Sequence, residues 1–92
     1  MSLYRFYRIT FFPVEPTLLK FSRMWTTTVT SEPTLEGLLT YATFFGCIPN
    51  VSEANSTDYA IMWKERGKVA VVRYTNRSRQ VDVGYIEVRE EK

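Results

Sequence analysis

The sequence predicts one α+β domain spanning residues 1–92, in which a single helix packs across an antiparallel-rich sheet. Apolar and polar residues alternate with period two in several segments, which is typical of half-buried strands. In one segment, after Thr30, the apolar residues instead recur at the spacing of a helix. The chain is 45% hydrophobic and 15% aromatic, which supplies a core for 92 residues, and no linker or internal repeat divides it.

The first part of the chain predicts two strands. Leu3 to Phe12 is rich in aromatic residues, and Leu18 to Thr30 alternates apolar and polar residues. Pro13 and Pro16 lie between them, where a ladder of backbone hydrogen bonds cannot continue. The β-branched run that ends at Thr30 disfavours a helix in the second segment.

The period changes to that of a helix after Thr30. One apolar face is formed by Leu35, Leu38, Leu39, Ala42 and Phe45. Ser31 is the predicted N-cap, and Gly46 is the predicted end, because glycine readily takes the left-handed conformation that terminates helices. We expect this helix to pack its apolar face on the same core as Trp25 and Phe21.

Three more strands follow, at Tyr59 to Lys64, Val69 to Thr75 and Val81 to Arg89, separated by the polar turns KERGK and NRSR. In the last strand, Val81 and Val83 have one parity, whereas Ile86 and Val88 have the other. A β-bulge with Gly84 at positive φ would return both pairs to one face.

The predicted element order is therefore β-β-α-β-β-β. A hairpin, a crossing helix and further strands is the order of the β-grasp architecture, and a different α+β sheet with the same elements is a close alternative. Because terminal strands often lie at sheet edges, the first and last strands are the expected edges.

Catalysis has little support in the sequence. Histidine is absent, which removes the commonest general base and metal ligand. The single cysteine, Cys47, follows the end of the predicted helix, where the helix dipole does not favour a thiolate. We therefore expect a protein that is not an enzyme, with no catalytic residue, metal site or cofactor.

The apolar run from Ile9 to Val14 is too short for a signal peptide, and no segment has the roughly 20 apolar residues of a membrane span. The expected location is the cytoplasm, without a membrane partner. Three N-x-S/T triplets, at Asn50, Asn55 and Asn76, fall in predicted loops; we interpret them as loop formers rather than glycosylation sites.

Nucleic-acid binding is the alternative function. Arginines among aromatic residues, as in SLYRFYRITFF, can hold phosphates while rings stack on bases. The formal charge of +2 is small, however, and Arg5 and Arg8 have opposite parity on one strand, so they point to opposite faces.

The leading interpretation is a small protein-binding module that acts through an aromatic and arginine-bearing sheet face or edge. Six Phe, six Tyr and two Trp are more rings than one helix can cover, and Tyr, Trp and Arg are enriched at interfaces. Inhibitors, adaptors and subunits, among them virus-encoded accessory proteins, are often compact domains of this kind. The expected partner is a protein, including a second copy in a homo-oligomer. The candidate partner-binding residues are Tyr4, Arg5, Tyr7, Arg8, Tyr41, Trp63, Arg73, Arg77 and Arg79.

Overall fold

The computed structural model describes residues 5–14, 23–46, 57–76 and 78–91 and confirms the predicted fold class and element order. The elements are β1 (Phe6–Pro13), β2 (Trp25–Val29), α1 (Leu35–Phe44), β3 (Thr57–Glu65), β4 (Val69–Asn76) and β5 (Arg79–Glu91). The five strands form one sheet in the order β2-β1-β5-β4-β3, and every neighbouring pair is antiparallel. Residues 18–22, the start of the second predicted strand, lie outside the described residues.

The helix begins one turn later than its predicted cap. Thr34, not Ser31, is the N-cap, and its Oγ1 accepts a hydrogen bond of 3.1 Å from the backbone N–H of Gly37. Ser31 is a poor cap because the second residue after it is Pro33, which has no N–H to donate. Gly46 ends the helix as predicted, with φ at +74°.

The first and last strands do not lie at the edges of the sheet. β1 and β5 pair with each other, from Phe6↔Glu91 to Pro13↔Gly84, and β2 and β3 form the edges. The expectation of terminal edge strands was wrong because both strands carry alternate apolar residues that need full burial. Ile9 and Ile86, for example, have no exposed surface, which a position in the middle of the sheet provides.

The predicted β-bulge is present in β5. Pairing with β4 runs through Val72↔Gly84 and resumes at Arg73↔Asp82, which leaves Val83 as the extra residue. The Val83 carbonyl accepts a hydrogen bond of 3.0 Å from the N–H of Val14. The bulge places the apolar residues on both sides of it on one face of the sheet.

The predicted positive φ of Gly84 was wrong, since Gly46 and Gly67 are the glycines with positive φ. Gly84 is required by close approach instead. A Cβ at this position would lie 2.5 Å from Cζ of Phe11 and 2.5 Å from the carbonyl oxygen of Phe12. The absence of a side chain therefore lets β1 and the Phe11 ring lie against the bulge.

One core lies between the sheet and the helix. Its buried members are Ile9, Phe11, Trp25, Leu38, Ala42, Ile61, Ala70, Val72, Val83, Ile86 and Val88. The Trp25 ring stacks on Phe45, with centroids 4.4 Å apart, and on Phe11, with centroids 6.0 Å apart. Leu35 was expected in this core but is 38% exposed, because it begins the helix, one turn before Leu38. Phe21 lies outside the described residues.

Replacing Trp25 with alanine should lower the free energy of unfolding by about 3–5 kcal/mol, because it removes the ring that joins β1 to the end of the helix. Urea denaturation measures the change. Met24→Ala is the matched control, since that side chain is 63% exposed, and its effect should stay within about 0.5 kcal/mol. A loss below about 1 kcal/mol for Trp25→Ala would show that this ring does not belong to the core.

Replacing Gly84 with alanine should destabilise the fold by about 1–3 kcal/mol, because the new methyl group overlaps Phe11 and the backbone of β1. The comparison is Gly37→Ala. There the nearest atom is Thr34 Oγ1 at 3.3 Å and alanine favours the helix, so the change should stay within about 1 kcal/mol. Equal stability of Gly84→Ala and the wild type would rule out this close approach.

Candidate protein-binding face

The helix packs on one face of the sheet, and within the described residues no helix covers the other, which we call the open face. Side chains alternate between the two faces along each strand. In β1, Ile9 and Phe11 are buried in the core, so Arg8, Thr10 and Phe12 project to the open face.

An apolar stripe crosses four strands of the open face. It consists of Phe12, Tyr85, Val71 and Met62, which are cross-strand partners in β1, β5, β4 and β3. The rings of Phe12 and Tyr85 stack with centroids 5.0 Å apart. Tyr85 is 37% exposed and Met62 is 36% exposed, whereas Val71 between them is only 8% exposed. The stripe thus presents exposed apolar surface at Tyr85 and Met62, with the nearly buried Val71 between them.

Charged residues lie on both sides of the stripe. Arg73 donates from Nε to Oδ1 of Asp82 at 2.8 Å on one side. On the other side Arg8 forms an ion pair with Glu91. These pairs are substantially exposed, so each contributes at most about 1 kcal/mol to folding and remains able to exchange partners.

Two further charges on this face have no ion-pair partner among the described residues. They are Glu87 and Arg89, two positions apart on β5. Arg89 is directly opposite Arg8 in the neighbouring strand, an arrangement that is unfavourable for like charges. A shallow depression lies between them, lined by Arg8, Thr10, Phe12, Glu87 and Arg89.

The charges on the open face of β1, β4 and β5 balance, and β3 adds Glu65, which is opposite Val69 and forms an ion pair with Lys68. In β1, β4 and β5 the basic residues on this face are Arg8, Arg73 and Arg89, and the acidic residues are Asp82, Glu87 and Glu91. A surface with an apolar centre and charges of both signs complements another surface of the same kind.

The structure distributes the predicted partner-binding residues over both faces. Arg8 and Arg73 lie on the open face. Arg5, Tyr7 and Trp63 border two adjoining depressions on the helix-bearing side. Two more are on that side: Tyr41 packs against the core, and Arg79 has the register position that faces the helix layer. Tyr4 and Arg77 lie outside the described residues.

The depressions on the helix-bearing side lie between the start of the helix and the β3–β4 turn and share Glu32, Arg66 and Gly67. Their charges are mixed, and Arg5 approaches Glu90 at 3.6 Å. On the same side, burial and the neighbouring Tyr74 raise the pKa of Tyr59 above its usual value. The helix on this side exposes Leu35 and Phe44, which are its first and last residues.

Sequence reasoning missed most of the stripe, together with Glu87 and Arg89. The alternation within β1 is visible in the sequence and predicts which residues share a face. Those on the open face are Phe6, Arg8, Thr10 and Phe12. The register that places Phe12 beside Tyr85 could not be predicted from a local sequence pattern, because those residues are 73 positions apart in the chain. That distance is closed only by the β1–β5 pairing.

Among the described residues, no three His, Cys, Asp or Glu side chains are grouped closely enough to hold a metal ion. None of the described helices has the length and apolar character needed to cross a membrane. No protein-family model matches the chain, and no curated protein or solved structure is significantly similar to it.

Proposed function

We propose that this protein is a small non-catalytic protein-binding module that binds through its open face and self-associates as a symmetric homo-oligomer. The apolar stripe carries the proposal. It crosses four strands, and the rings of Phe12 and Tyr85 at its aromatic end are stacked on each other within one chain.

The stripe has the composition of an interface centre. Aromatic residues, methionine and arginine are enriched in protein interfaces, and tyrosine is prominent among the residues that dominate binding energy. Tyr85 and Met62 each leave more than a third of their surface exposed to water, even though each lies beside apolar cross-strand neighbours in the stripe. Covering the stripe would remove this apolar surface from water, which favours association.

The balance of charges supports a protein partner over nucleic acid. Nucleic-acid binding depends on an excess of cationic groups that release counterions from phosphates. Arg8 and Arg89 lie near the Phe12 ring, as a base-stacking platform would require, but Glu87 and Glu91 share that surface and repel phosphates. Elution from heparin at low salt is the expected behaviour, and strong salt-dependent retention would favour the nucleic-acid alternative.

The absence of histidine from the chain supports a non-catalytic role. Inhibitors, adaptors, subunits and virus-encoded accessory proteins are among the roles that such a module fills. We place the module in the cytoplasm, where disulfides are rare, because its single cysteine cannot form a disulfide within one chain.

Light scattering coupled to size-exclusion chromatography tests the proposal directly. The wild-type protein should have a dimeric or higher symmetric mass at micromolar concentration. Tyr85→Glu should weaken self-association by roughly 30-fold or more, because it places an acidic group among the exposed apolar groups of the stripe. Its circular dichroism spectrum should remain that of the wild type, since this side chain does not contribute to the core.

The matched control for this variant is Glu36→Lys, which changes an exposed residue of the helix on the opposite side. It should leave the mass unchanged. A monomeric wild-type protein, or a dimer that Tyr85→Glu leaves intact, would contradict self-association through the open face.

A further inference from the structure

The unpaired charges on β5 indicate how two copies would be aligned. Each of the other charges on the open face of β1, β4 and β5 has a partner within the chain, as Arg8 has Glu91 and Arg73 has Asp82. Glu87 and Arg89 remain, one of each sign, on the central strand of the sheet. A single chain thus presents an acid and a base that a second copy can satisfy reciprocally.

On the open face, two pairs of residues lie at equal distances on either side of the level of Val88. Ile9 pairs with Val88, so these two residues mark the same level on β1 and β5. One position away on β5 are Glu87 and Arg89, which have opposite charges. Three positions away on β1 are two phenylalanines, Phe6 and Phe12. A two-fold axis across the strands at this level therefore places each member of a pair opposite the other member in a second copy.

We infer that two copies stack their open faces with antiparallel strands. The two-fold axis lies between the two sheets, runs across the strands, and is at the level of Ile9 and Val88. Glu87 of each copy then faces Arg89 of the second copy, so that two reciprocal ion pairs form across the axis. This inference rests on the proposed self-association and adds its register.

The geometry of packed sheets supports this register. Face-to-face sheets lie about 10 Å apart and cross at about 30° because of their twist. Residues adjacent to the axis are displaced least by that crossing angle. Glu87 and Arg89 are each about 3.3 Å along the strand from the axis level, and the long arginine side chain can span the gap between sheets.

The same register places the two phenylalanines on the open face of β1 opposite each other. Phe6, which is 41% exposed, would lie over Phe12 of the second copy, with the reverse contact on the other side of the axis. Tyr85 would face Glu91 of the second copy, where its hydroxyl can donate a hydrogen bond to the carboxylate. The aromatic end of the stripe thereby enters the interface together with the charge pair.

Charge exchange at the two β5 positions tests the register. Arg89→Glu alone places Glu87 opposite a glutamate in both pairs, and Glu87→Arg alone places Arg89 opposite an arginine. Each single variant should therefore self-associate at least about tenfold more weakly than the wild type. An equimolar mixture of the two variants should form a heterodimer, because both pairs across the axis are then complementary. The double variant Glu87→Arg/Arg89→Glu should form a homodimer again.

Sedimentation equilibrium of each variant and of the mixture measures these affinities. The control is Arg66→Glu, which reverses a charge on the helix-bearing side and should leave the dimer unchanged. Recovery in both the mixture and the double variant supports the register. If the single variants dimerise like the wild type, or the mixture fails to recover, the register is wrong while self-association stands. A monomeric wild type overturns the self-association itself, and with it the register.

Discussion

The pairing of β1 with β5 is the constraint on which the rest of the structure depends. It joins the two ends of the described chain at the middle of the sheet, and it requires that the Phe11 ring lie against a residue without a side chain. Gly84 meets that requirement. The extra residue Val83 then corrects the parity of β5, because a shift by one residue would otherwise turn half of its apolar side chains to the wrong face.

The same pairing creates both surfaces of the sheet. On the covered side it brings Ile9 and Phe11 beside Val88 and Ile86, which form the middle of the core under the helix. On the open side it brings Phe12 beside Tyr85 and Arg8 beside Arg89. The core and the candidate binding face are therefore two results of one register, and they share no side chains.

Much of the fold could be predicted from local patterns. The alternation in the strands, the helical spacing from Leu35 onward, the end at Gly46 and the bulge at Gly84 are all visible in short stretches of sequence. Thr34 rather than Ser31 is the cap, because Pro33, the second residue after Ser31, has no N–H to donate to it. The positions of β1 and β5 were misplaced because strand order depends on long-range burial, which no short stretch encodes. The binding face was found only in part for the same reason: Arg8 and Arg73 were selected by residue type, whereas Tyr85 and Arg89 became candidates through register.

Nuclear Overhauser contacts in solution test the central pairing most directly. The structure predicts contacts from the Phe11 ring protons to the Hα protons of Gly84, and between the rings of Phe12 and Tyr85, whose centroids are 5.0 Å apart. It also predicts backbone contacts between Thr10 and Glu87, which are cross-strand partners. A spectrum in which β1 contacts only β2, with no contact from Phe11 to Gly84, would contradict the pairing and the open face built on it.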